Sequence, residues 1–138
     1  MQEQTGGSPA GDGYTAAAIM ALLVLTGTMV LAMFTRTEPH PPLVVEPFAL
    51  GPFLAASLAI GAAAFGLVVR GMRFAMAIAL LFALTALVSY GPQKYVDPAF
   101  PKIWPAVIVA QGAIAVILWR AISRAIRQMR SAVARAVR

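Results

Sequence analysis

No cysteine occurs in the 138 residues, which removes disulfide frameworks, cysteine zinc sites, iron–sulfur clusters and thiol catalysis together. Histidine is nearly as scarce. The one copy, His40, excludes bis-histidine haem ligation within a chain and is the sole candidate base for a Ser–His–Asp arrangement. Charge is the third shortage: 12% of residues are Asp, Glu, Lys or Arg, against about a quarter in an ordinary soluble domain. What is abundant is apolar surface. A hydrophobic share of 60% and a mean hydropathy of +0.80 exclude a disordered chain and describe an integral membrane protein. Arginine outnumbers lysine and alanine is plentiful, a composition that suggests GC-rich bacterial coding.

A hydrocarbon core of about 30 Å is crossed by ~20 mainly apolar residues of helix. Four uncharged runs of about that length occur: Thr15 to Phe34, Phe48 to Val69, Phe74 to Tyr90 and Ile103 to Trp119. They lack the period-two alternation of a membrane barrel and are rich in Ala, Leu and Met, so they read as helices. The last two hold about 17 residues each, near the lower limit, so a three-span chain with one re-entrant segment is the alternative. Pro52 and Pro105 fall near the starts of the second and fourth runs, where a missing backbone donor is tolerated. Residues 1–13 carry Glu3 and Asp12 without Lys or Arg, which argues against a cleavable signal peptide. Residues 1–14 read as a flexible tail, 15–119 as the membrane domain and 120–138 as a separate element.

Eight basic residues, Arg70, Arg73, Arg120, Arg124, Arg127, Arg130, Arg135 and Arg138, fall on one side of a four-span topology, and Arg36, Lys94 and Lys102 on the other. The positive-inside rule then makes the arginine side, with both termini, cytoplasmic. Trp104 and Trp119 lie roughly 22 Å apart along a helix, a spacing that suits two interfacial aromatic belts. Beyond Trp119 the six arginines fall on one side of a helical wheel, with Ile122, Ile126, Met129, Val133 and Val137 opposite. This is the pattern of a basic amphipathic helix. It is expected to bend away from the fourth span and lie on the inner leaflet, its apolar side among acyl chains and its arginines on anionic phosphates. The deep apolar face beside a span favours lipid or a partner protein over nucleic acid.

Within the four runs no Asp, Glu, Lys, Arg or His occurs, which argues against a proton-coupled pump or a cation exporter built on a membrane carboxylate. Gln111 is the strongest intramembrane polar side chain; it either bonds a neighbouring helix or holds a quinone, pigment or substrate. Gly51, Ala55, Ala59 and Ala63 recur every four residues, and Ser57-Gly61 and Ala62-Gly66 add further small pairs. Such rows let backbones approach closely, inside this bundle or against a partner subunit. Ala75-Ala79-Ala83 and Ala106-Ala110 are shorter versions. His40 reads as a solvated loop residue or a weak cofactor ligand. The segment from Gly91 to Lys102, with three prolines, Tyr95 and Phe100, is expected to be stiff and to lie along the interface.

These features suggest a non-enzymatic accessory subunit of a larger bacterial inner-membrane assembly, of the electron-transfer or light-harvesting kind. A small membrane component of a transporter is the alternative, and a membrane enzyme comes third for want of any His, Asp or Glu cluster. The expected partners are other membrane subunits and anionic lipids. No cofactor is called for, although bound lipid and contact with pigment or quinone fit such a bundle.

Overall fold

The structure, a computed structural model, describes residues 10–38 and 47–136. They form helices α1 (Ala10–Thr35), α2 (Pro47–Val69), α3 (Ala75–Tyr90) and α4 (Phe100–Ala136), with a short 3₁₀ turn at Pro92–Val96 between the last two. Four candidate spans are long and apolar enough to cross a membrane, the third of them running from Ala75 through the 3₁₀ turn to Val96, and the third and fourth runs are helical. Helices are what lipid demands, because only they satisfy every backbone polar group within one segment.

The helices run up, down, up and down. α1 packs on α2 and α4, and α3 packs on the same two; α1 and α3 also meet across the diagonal, whereas α2 and α4 stay apart among the described residues. Small side chains set this geometry. Ala75, Ala79, Ala83 and Ala86 all lie buried on one face of α3, so the row seen in the sequence points into the bundle. Phe82 on the same face fills the centre, with Ile19 and Leu22 of α1 and Ile114 and Ile117 of α4 around it. Polar contacts tie the layers: Ser57 and Thr85 hydroxyls bond at 2.7 Å between α2 and α3, and Tyr90 Oη donates to the Leu25 carbonyl of α1 at 2.9 Å.

The longer row on α2 behaves otherwise. Leu54, Ser57, Gly61, Ala64 and Val68 face inward, which leaves Ala55, Ala59 and Ala63 exposed and Gly51 and Gly66 half-buried. Of the small residues on α2 expected to pack, Ser57 and Gly61 are buried in this bundle. The two prolines are also less innocuous than expected. α2 starts at Pro47 and α4 at Phe100, so Pro52 and Pro105 fall in the second turn and deprive the Phe48 and Pro101 carbonyls of their intrahelical donors.

Two further boundaries move. α1 begins at Ala10, inside the segment expected to be a tail, because each added residue of an existing helix gains a bond; residues 1–9 lie outside the described residues. α4 continues as one helix from the fourth run to Ala136, with no break after Trp119. Arginine and alanine are good helix formers, so the change from apolar to basic alters the helix's surroundings and not its hydrogen bonding. At ~1.5 Å per residue α4 is about 55 Å long.

Two helices stop in the same way. At the end of α2, Met72 N–H donates to Leu67 O at 3.0 Å and Gly71 N–H to Val68 O at 3.1 Å, with Gly71 at φ +63°. This is a Schellman stop, which needs a left-handed residue that glycine supplies without strain. α1 ends with the equivalent bond, Thr37 N–H to Ala32 O at 3.0 Å, but its left-handed residue is Arg36, at φ 53°. A side chain there costs roughly 1 kcal/mol or more. Arg36→Gly is therefore expected to stabilise the bundle by about 1 kcal/mol, read as a rise of a few degrees in the melting temperature in detergent micelles.

Candidate functional site

The end of the bundle that carries the 91–102 segment opens into a cleft of about 700 Å³, within the size range of small-molecule sites. Its walls come from all four helices. Leu25 and Met29 of α1, Phe53 of α2, Val88 of α3 and Ile103 and Ala106 of α4 supply the apolar depth. Glu38, Lys94, Asp97 and Lys102 line it as well and bring charge to the loop end. The cleft follows from the topology, since α2 and α4 do not meet and leave a gap between them at this end.

The ionic groups are ordered by pairing. Lys94 Nζ meets Asp97 Oδ2 at 2.8 Å, and Asp97 Oδ1 accepts the Ala99 N–H at 2.9 Å. The Lys94 ammonium first, and the Ala99 amide after it, hold the Asp97 carboxyl below the usual carboxylate range, so it is ionised at neutral pH. Lys102 Nζ lies 2.6 Å from Glu38 Oε2 and links α4 to the end of α1.

A second polar arrangement braces the same end. Gln93 Nε2 donates to Leu87 O at 3.1 Å and Val88 O at 2.8 Å, which satisfies carbonyls that the end of α3 leaves without helical donors. Gln111 of α4 accepts from Tyr95 Oη at 2.6 Å and donates through Nε2 to Tyr90 O at 3.1 Å. Each end of this amide thus bonds a protein partner, and Gln111 links α4 to the end of α3 and to the 91–102 segment. The Tyr95 and Phe100 rings pack at 5.2 Å between centroids, so the 91–102 segment is fixed to the start of α4.

The remaining candidates are dispersed. His40 and Arg138 lie outside the described residues. Trp104 and Trp119 are both more than half exposed on α4. Arg127, Arg130 and Arg135 are exposed on the extension of α4, while Arg120 and Arg124 are half-buried where it leaves the bundle. Ile122, Ile126, Met129 and Val133 are exposed as well, an apolar stripe that no other helix among the described residues covers. No three of His, Cys, Asp and Glu cluster among the described residues. The cleft itself escaped the sequence reading, because its walls come from positions far apart in the chain; the lysines of the 91–102 segment were the one local sign of it.

Comparison with protein-family models, with curated proteins and with solved structures finds no match.

Proposed function

We propose that this chain is a non-enzymatic accessory subunit of a larger assembly in the bacterial inner membrane, with its arginine-rich end cytoplasmic. The observation that carries the reading is the outward face of α2. Ala55, Ala59 and Ala63, with Ala56 and Ala62 beside them, present small side chains where the bundle itself makes no use of them. Towards lipid such a surface gains little. Towards another helix it permits close backbone approach, where dispersion and weak hydrogen bonds do the work that hydrophobicity cannot do in a membrane. The α4 extension supports the same reading, for its basic side suits anionic headgroups and its exposed apolar stripe suits acyl chains or a partner helix. An electron-transfer or light-harvesting assembly is the setting we infer, since such complexes carry small hydrophobic subunits of this kind.

The test is recovery of partners in mild detergent from membranes that carry the tagged chain. Ala59→Phe is expected to abolish co-purification of the partner subunits while the variant inserts and melts like the parent. An identical set of subunits recovered with Ala59→Phe sinks the proposal, and recovery of a large permease with the parent chain favours the transporter component instead.

A further inference from the structure

We propose that the cleft at the loop end is a binding site for one phospholipid, with an acyl chain in its apolar depth and the phosphate on Lys94 and Lys102. The inference stands apart from the accessory role, since it concerns the inside of the bundle and not the outer face of α2.

Three observations select this occupant. The first is the lining. Leu25, Met29, Phe53 and Ile103 offer no hydrogen bond, and of the four hydroxyls in the wall those of Thr28 and Tyr90 already donate to Val24 O at 2.8 Å and Leu25 O at 2.9 Å and that of Thr37 is bonded to Thr35, which leaves Ser89. A chamber of that chemistry is solvated better by methylene groups than by water. The second is the position of the charges. The four ionic side chains in the lining belong to the 91–102 segment and to Glu38, three residues past the end of α1, so the site has an apolar body and an ionic head. A quinone or a pigment places its polar groups on a ring, and a ring in the depth finds few donors there. A phospholipid divides its polarity as the cleft does.

The third observation is the balance of charge. Each lysine is bonded to one carboxylate, Lys94 to Asp97 and Lys102 to Glu38, and an ammonium has three donors. The remaining N–H groups are available to a phosphate, which joins each pair as a second acceptor. With two cations and two carboxylates among the described residues, the lining of the mouth carries no net charge, so it suits a headgroup that is itself zwitterionic. The phosphate takes the lysines, and an ethanolamine ammonium takes the exposed Glu38 carboxylate, 2.6 Å from Lys102. The site therefore favours an ethanolamine phospholipid over a net anionic glycerol phospholipid.

The experiment is native mass spectrometry of the full-length protein released from nanodiscs made of equal parts phosphatidylethanolamine and phosphatidylglycerol. One phospholipid adduct per chain is expected, enriched at least several-fold in the ethanolamine lipid. Ala106→Trp, which fills the cleft, is expected to lower adduct occupancy about tenfold. Lys102→Ala, on an exposed side chain that leaves the core untouched, is expected to lower it several-fold and to reduce the preference for ethanolamine. Circular dichroism melts of both variants report their folding, and if Ala106→Trp fails to fold, Lys102→Ala alone decides. Equal adduct occupancy in parent and Lys102→Ala overturns the proposal, as does a parent chain that carries no adduct or shows no preference between the two lipids.

Discussion

Gly61→Ala is expected to destabilise the bundle by about 2 kcal/mol, although the same change in an open helix stabilises it by about 1 kcal/mol. The difference lies in what the new methyl group meets. A Cβ at Gly61 falls 2.6 Å from Phe82 Cζ, 2.8 Å from Phe82 Cε1 and 2.7 Å from Leu23 Cδ2. Leu23 is only half-buried and its terminal methyl can swing aside. Phe82 is fully buried at the centre, so its ring moves only if α3 moves with it. Overpacking of this kind costs about 1 to 3 kcal/mol, and here it outweighs the gain in helix propensity. Gly112 provides the control, since a Cβ there meets nothing within 4 Å. Gly112→Ala is expected to raise stability by up to about 1 kcal/mol. Reversible unfolding in mixed micelles measures both. Adding Phe82→Leu to Gly61→Ala should recover part of the loss, and strict additivity of the two changes would show that the methyl and the ring do not collide.

Gln111→Leu is expected to cost about 2 kcal/mol, because it removes both bonds of one side chain and leaves the Tyr90 carbonyl and the Tyr95 hydroxyl without those partners. Side-chain hydrogen bonds between membrane helices average about 0.6 kcal/mol and reach about 1.7, so two bonds with an orphaned carbonyl reach that sum. Tyr95→Phe removes only the bond to Gln111 Oε1 and is expected to cost about 0.6 kcal/mol. Once Gln111 is leucine the tyrosine hydroxyl has lost this partner, so the double variant should resemble Gln111→Leu alone. Costs that simply add in the double-mutant cycle would remove the 2.6 Å contact from the account.

The spans were legible in the sequence because bilayer thickness fixes their length and the cost of a buried charge marks their ends. Which face of each helix turns inward was not. In water a core face is told from a surface face by polarity, but α2 is apolar all round, and side-chain size is the only signal left. Gly61 and Ala63 look alike in such a sequence, yet Gly61 receives the Phe82 ring and Ala63 lies on the outside. The stop after α2 was visible as Gly71. The stop after α1 was hidden, because its left-handed position holds an arginine. The amide of Gln111 was legible as an important polar group, but its partners at Tyr90 and Tyr95 follow from how the 91–102 segment folds back on α4.

The two ends of the bundle are not electrically equal. By chain order, eight basic and two acidic residues belong to the end from which α4 extends, and three of each to the cleft end, so the whole net charge of +6 resides at one end. Turning the molecule over in an energised membrane would carry that charge through the transmembrane field. At ~2.3 kcal/mol per elementary charge per ~100 mV, inversion costs about 14 kcal/mol, as much as the entire folding free energy of many domains. In the orientation proposed above, with the arginine-rich end on the negative side of the membrane, the membrane potential becomes a standing force that holds the bundle in place, and every arginine on the α4 extension adds to it.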